Sequence, residues 1–277
     1  MTPHPLLIQN LLDFVAARIG VPLASFPDGG IIAGSVETPV EGLLVTWMAT
    51  PEALQAAVDQ GLNVVLCHEE FLFNEMPQAP IYRWTSPPDE KPYELPDHPN
   101  QTRLQLINKH RLSVLRIHYG LDRLCICDDF MKYLGITQVI AGGAYEKVYA
   151  LPKPIPAHEL ARMVASRLGA KAIRIAGNGN KIISKVGNLW GGVGLSSNRY
   201  WMRKQIEHGA EAIICGESDE FAELFAREYR DTVLIETSHV ESENMGLRHA
   251  VAMLKEAFPK LRIEFFEVPR PNHLLMI

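Results

Sequence analysis

The chain has little cysteine: four residues in 277, namely Cys67, Cys125, Cys127 and Cys215. So few thiols, set in apolar strand-like stretches, exclude a disulfide framework and read as reduced cysteines in a cytoplasm. Cys125 and Cys127 form C-x-C, which is not the usual zinc spacing, and no second pair completes a site. All four read as small buried apolar residues. Charge of one sign is also scarce. Lys plus Arg is 27, Asp plus Glu is 32, and the net charge is −5. That balance, with no basic run, excludes the electrostatic footprint of a nucleic-acid binder. Local basic patches for a small phosphorylated ligand remain compatible with it. No apolar stretch reaches the ~18 residues of a membrane span. No basic segment opens the chain either. Leu7, Leu11, Phe14 and Val15 recur at helical spacing, so residues 5–19 read as an amphipathic helix and not a signal peptide. The sequon Asn100-Gln101-Thr102 is put down to chance.

What is present is an α/β pattern. The hydrophobic content of 47% can fill one large or two modest cores. Gly42–Met48 is an apolar run. Thr50-Pro51-Glu52 then supplies an N-cap, a first-turn proline and an early acid. That helix stops at Gly61, and Asn63–Cys67 is a fully apolar strand suited to a sheet covered on both faces. Residues 74–99 carry seven prolines, too many for a helix or an interior strand. With Tyr82, Trp84 and Tyr93, this stretch reads as a packed lid or an oligomer contact in preference to a disordered loop. Helices are expected over residues 101–109, 128–134, 157–168, 197–208, 219–228 and 241–257. Strands are expected over 113–117, 147–151, 172–176, 181–186, 212–215, 232–236 and 262–267.

Residues 58–69 (VDQGLNVVLCHE) match 206–217 (IEHGAEAIICGE) at a constant offset, aligning Gly61, Val65, Cys67 and Glu69 with Gly209, Ile213, Cys215 and Glu217. The shared G-x-x-φ-φ-φ-C-x-E, with φ apolar, exceeds what a generic βαβ unit requires. It predicts two similar α/β lobes, residues 1–143 and 144–277, with a site in the cleft between them.

Three His–acid groups adjoin predicted strand ends, where ligands of parallel α/β sheets collect. They are His68-Glu69-Glu70, His118-x-x-x-Asp122 and His239-x-x-x-Glu243. In a helix starting near Ser238, His239 and Glu243 share one face. An imidazole beside a carboxylate is a common way to hold a first-row metal. Each group alone would pass for loop surface; three in one chain point to a metal centre. Two glycine-rich stretches are weaker signals. Gly177-Asn178-Gly179 reads as a turn, and Gly191-Gly192-x-Gly194 as a hinge or tight turn ahead of an anion site.

In their order, these motifs resemble the family named for NGG-one-interacting factor three, often described as GTP cyclohydrolase I type 2 homologues. That family carries an apolar strand followed by His-His-Pro, then His-x-x-x-Asp, a Gly-Asp or Gly-Glu pair, and His-x-x-x-Glu. The counterparts here are His68-Glu69-Glu70, His118 to Asp122, Gly216-Glu217, and His239 to Glu243. The resemblance implies a dinuclear metal site ligated by His68, Glu69, Asp122, His239 and Glu243, with Asp122 bridging, often within a ring-shaped hexamer. His118 is not among the ligands it implies. As a possible catalytic residue it would relay protons beside Asp122; a core histidine bonded to backbone is the other reading. Glu217 would face the site from the second lobe. Glu69 stands where the family has its second histidine. The exchange hardens the site toward Mn²⁺ or Fe²⁺ over Zn²⁺, or leaves one metal in place of two. The function implied is metal-dependent hydrolysis of a small phosphoester or nucleotide-like substrate by a cytoplasmic homo-oligomer. The alternative is a non-enzymatic protein that buffers or inserts metal, or a regulatory scaffold.

Overall fold

The computed structural model describes residues 5–22, 29–70 and 98–269. The chain divides into two compact units: residues up to Leu121 together with Val251–Val268, and Asp122–Ala250. In chain order the first unit holds α1 (Ile8–Ile19), β1 (Gly29–Ala33), β2 (Gly42–Thr46), α2 (Pro51–Asp59), β3 (Val64–Cys67), α3 (Pro99–His110), β4 (Ser113–Ile117) and α4 (Tyr119–Leu121). The second opens with a π-helical turn (Asp122–Ile126). It continues with α5 (Cys127–Tyr133), β5 (Gln138–Ala141), β6 (Val148–Pro156), α6 (Ala157–Leu168), β7 (Arg174–Ala176), β8 (Ile182–Leu189), α7 (Arg199–Glu207), β9 (Ala212–Cys215), α8 (Glu220–Glu228) and β10 (Val233–Glu236). Helix α9 (His239–Ala257) follows, and the chain re-enters the first unit within it before β11 (Arg262–Phe266).

Each unit is built on one sheet. The first runs β1-β4-β3-β2-β11 and the second β5-β6-β8-β9-β10-β7. The order β1-β4-β3-β2 has its counterpart in β7-β10-β9-β8. In both, an antiparallel edge strand precedes three parallel strands. The chain is thus two similar α/β lobes. Parallel strands need crossovers that cover the sheet with helices, which is why β2, β3 and β9 are buried at every residue. In the second unit the alternation along β9 is clear. Ala212 and Ile214 join Phe130, Leu160 and Val164 in one core. Ile213 and Cys215 join Met202, Ile206, Ala222 and Ala226 in the other.

Local signals fixed most elements. Thr50 caps α2 by accepting from Ala53 N, with Pro51 at the first position. Helix α3 starts two residues before the expected 101, because His98 caps it and Pro99 opens it. Asn100 is fully buried there, which suits the dismissal of its sequon. The Gly177–Gly179 stretch is a turn closed by Asn178, whose side chain accepts from Asn180 N at 3.0 Å.

Two strands lie in a different sheet from the one a boundary at 143/144 assigns them. β5 pairs with β6 in the second sheet, and β11 pairs in parallel with β2 in the first. A strand's periodicity reports that it is a strand, not which strand it joins. The short strands β1 and β5 had no sequence signal; β1 begins Gly29-Gly30, residues that weaken strand propensity. The proline-rich stretch up to residue 97, with Tyr82, Trp84 and Tyr93, lies outside the described residues.

The internal repeat has a structural counterpart. Gly61 and Gly209 both take positive φ, 67° and 96°, a conformation that favours glycine. The Cys67 thiol donates to Leu115 O at 3.4 Å, and the Cys215 thiol to Ile235 O at 3.7 Å. In each case the acceptor is one residue before the register partner on the adjacent parallel strand. Burial pushes the Cys67 and Cys127 thiols up to about 12, and raises Cys125 and Cys215 as well. All four are buried and outside any disulfide, so none supplies a thiolate at neutral pH. The native protein is therefore expected to leave a disulfide-exchange chromophore unreduced, and the denatured protein to titrate four thiols. A rapidly reacting thiol before denaturation would contradict this burial.

Candidate metal centre

In the first unit the candidate residues sit where β3 and β4 end. His68 follows β3, and its backbone N–H and that of Glu69 bond to Trp47 O at 3.0 and 2.8 Å. The end of β2 thus fixes the turn. The His68 side chain is fully buried. Its Nδ1 lies 3.2 Å from Ile117 O; a carbonyl only accepts, so Nδ1 carries the proton and Nε2 the lone pair. His118 follows β4, and its ring stacks on His68 with centroids 4.4 Å apart and planes at 17°. The His118 Nε2 lies 3.4 Å from Glu69 Oε1. Three sequence-predicted residues, His68, Glu69 and His118, therefore meet within this unit.

In the second unit Asp122 opens the π-helical turn, a feature frequent at functional sites. It is 8% exposed, and its Oδ1 accepts a 2.7 Å hydrogen bond from the Trp190 indole N–H. His239 and Glu243 share one face at the start of α9, as the i, i+4 spacing predicts. His239 Nε2 is 3.3 Å from Glu243 Oε1, and Glu243 is 2% exposed. On the far side of the ring, His239 Nδ1 meets Glu217 Oε1 at 2.9 Å. This is the carboxylate–imidazole pairing that orients metal-binding histidines. Glu217, the repeat partner of Glu69, thus reaches His239.

Sequence reasoning missed what makes room for this cluster. The stretch Gly191–Gly194 is a tight 3-10 turn, and its glycines let backbone approach acids. A Cβ on Gly191 would stand 2.0 Å from Glu243 Oε1 and 2.9 Å from His239 Nε2, and one on Gly194 2.3 Å from Glu217 O. Ser242, buried between His239 and Glu243 in sequence, accepts from Gly191 N at 2.8 Å and donates to His239 O at 2.7 Å. Trp190 was also unforeseen. A tryptophan beside a glycine run carries no local sign that its N–H will find an aspartate 68 residues away.

Buried and half-buried His, Asp and Glu side chains that could hold a metal ion thus occur in both units. Imidazole nitrogen and carboxylate oxygen suit Mn²⁺, Fe²⁺ and Zn²⁺ alike. A cavity of about 410 Å³ lined by Leu6, Val40, Glu41 and residues 258–261 contains none of these residues.

A two-lobed α/β protein with acid–imidazole clusters at its strand ends is the class so defined. Residues 89–272, well over half the chain, match the family described as Duf34/NIF3 (NGG1p interacting factor 3). The chain belongs to that family. No curated protein matches it. Its fold is similar to those of the protein ybgI, of unknown function (20% identity, TM-score 0.76, covering 96% of this chain and 100% of that one), and a Bacillus cereus protein related to NIF3 (12%, 0.76, 99% and 99%). It is also similar to that of reduced HcgD from Methanocaldococcus jannaschii (12%, 0.69, 95% and 98%). Among the described residues no helix is long and apolar enough to cross a membrane.

Proposed function

We propose that this protein holds two divalent metal ions on His68, Glu69, Asp122, His239 and Glu243, and hydrolyses a small phosphoester or nucleotide-like substrate with them. The observation that carries the reading is Glu243. It is a nearly buried carboxylate 3.3 Å from an imidazole nitrogen whose other nitrogen is held by Glu217. Buried carboxylates are costly to desolvate unless a cation compensates them. Family membership supports the same reading. Mn²⁺, Fe²⁺ and Zn²⁺ all fit the donors. When bound, such ions lower the pKa of a coordinated water and stabilise both oxygens of a displacement. The protein's share is to fix the ligands: Ile117 O and Glu217 set the histidine tautomers, and Trp190 takes up one oxygen of Asp122. The family resemblance adds a homo-hexamer to the proposal.

Elemental analysis of untagged protein purified without chelators tests it. The expected result is about two metal equivalents per chain, removed by chelator with a fall in melting temperature. Turnover of phosphoester substrates that returns with the metal would complete the case. Metal content without turnover, and with ready exchange, would turn the reading toward metal handling. No metal after reconstitution with manganese, iron and zinc would end both.

A further inference from the structure

The cavity of about 410 Å³ in the first unit has apolar walls: Leu6, Val40, Phe258, Pro259 and Leu261. Two residues of opposite charge, Glu41 and Lys260, complete its lining. We propose that it binds a free α-amino acid with an apolar side chain. The side chain enters the cavity, the ammonium meets Glu41 and the carboxylate meets Lys260.

Its place in the fold sets it apart from the candidate metal residues of the same unit. Glu41 directly precedes β2 and Leu261 directly precedes β11, whereas His68 and His118 directly follow β3 and β4. These four strands are parallel, so the cavity and the two histidines lie at opposite ends of the sheet. A strand of five residues puts about 16 Å between those ends.

The walls are held by the fold itself. Val40 N–H donates to Leu6 O at 2.8 Å, tying the segment before α1 to the segment before β2. Phe258 N–H donates to Leu254 O at 2.8 Å and Leu261 N–H to Phe258 O at 2.9 Å, which closes the turn from α9 into β11. The Phe258 ring meets Phe14 of α1 edge to face, with centroids 5.5 Å apart. A formed apolar concavity of this size suits a small ligand, and little ordering of the protein is charged against binding.

The charges select the ligand. Glu41 and Lys260 line one cavity yet form no ion pair with each other. Among the described residues neither side chain has a hydrogen-bonding or ionic partner. The neighbouring cation, Arg262, is engaged elsewhere, with Gln60 O at 2.8 Å and Glu264 Oε1 at 3.2 Å. A simple amine would answer Glu41 alone, and a simple carboxylate Lys260 alone. A zwitterion answers both and sets its apolar part against Phe258 and Leu261.

Titration calorimetry of the full chain with L-leucine tests this, beside two analogues that each lack one charge. These are 4-methylpentanoate, without the ammonium, and leucinamide, without the carboxylate, in mildly acidic buffer where leucinamide stays charged. Leucine is expected to bind saturably and about 5-fold more tightly than either analogue, the scale of an exposed ion pair. In Glu41→Gln the advantage over 4-methylpentanoate is expected to vanish and that over leucinamide to remain. In Lys260→Met the reverse is expected. Both positions are exposed, and unchanged melting curves and metal content check that the variants fold. Equal binding of leucine and both analogues would overturn the zwitterion assignment. No saturable binding of leucine would overturn the site; if Leu261→Glu then lowered the sedimentation coefficient, a second copy of this chain would be what covers the cavity.

Discussion

Gly191→Ala is expected to weaken metal binding by about 10- to 100-fold while the second sheet stays folded. The added methyl would stand 2.0 Å from Glu243 Oε1, 3.0 Å from its Cδ and 2.9 Å from His239 Nε2. One of the two must move, and the backbone of residue 191 has little freedom to yield. Its N–H donates to Ser242 Oγ, and its carbonyl accepts from Glu217 N at 3.0 Å. The carboxylate of Glu243 therefore gives way, and with it the spacing to His239. Position 191 also sits at φ +53°, where a residue with a Cβ costs about 1–2 kcal/mol. That cost is small beside the stability of a unit with two cores, so the loss falls on the site. Chelator-competition titration, run beside a denaturation midpoint, checks it. Unchanged affinity in a folded variant would mean that Glu243 is not a ligand.

Gly246→Ala should instead destabilise the fold, by about 2 kcal/mol net. This glycine lies within α9, where alanine alone would gain about 1 kcal/mol of helix propensity. Against that, its Cβ would stand 2.5 Å from Ile126 Cα and 2.8 Å from Ile126 N. These are backbone atoms, so no side-chain rotation relieves the overlap. Overpacking of this kind costs about 3 kcal/mol, and it outweighs the propensity gain. The atoms struck belong to the π-helical turn that begins at Asp122, so metal content is expected to fall alongside stability. A thermal melt of the metal-free protein isolates the packing term. A stabilised variant there would show that α9 and the turn can separate.

The elements most legible in the sequence were those whose ends are set by local chemistry. The strands Ser113–Ile117 and Ala212–Cys215 and the helix Ala157–Leu168 run over their expected spans, bounded by caps, glycines and a clean apolar pattern. The repeat aligning Cys67 with Cys215 was legible too, because it records a chemical duplication, a thiol bonded to the neighbouring strand. The π-helical turn was not visible, since DRLCI scans like ordinary helix. Sheet membership of β5 and β11 was not visible either. In the site, the His–acid groups stood out because they lie beside apolar strands. Their supports did not. Gly191, Ser242 and Trp190 act through close approach and hydrogen bonds to residues distant in sequence, and single-sequence patterns carry no such information.

The pairing of β11 with β2 has a consequence for synthesis. Gly42 finds its partner Arg262 only after Asp122–Ala250 has been made. The first lobe is thus interrupted and waits for Val251–Val268, whereas Asp122–Ala250 is one continuous run and can close as it emerges. Until β11 arrives, the nascent chain carries β2 (GLLVT), buried at every residue in the finished sheet, as an open edge, a template for unwanted pairing. The interval in which this protein most needs protection therefore runs from the emergence of β2 until Arg262–Phe266 has been made.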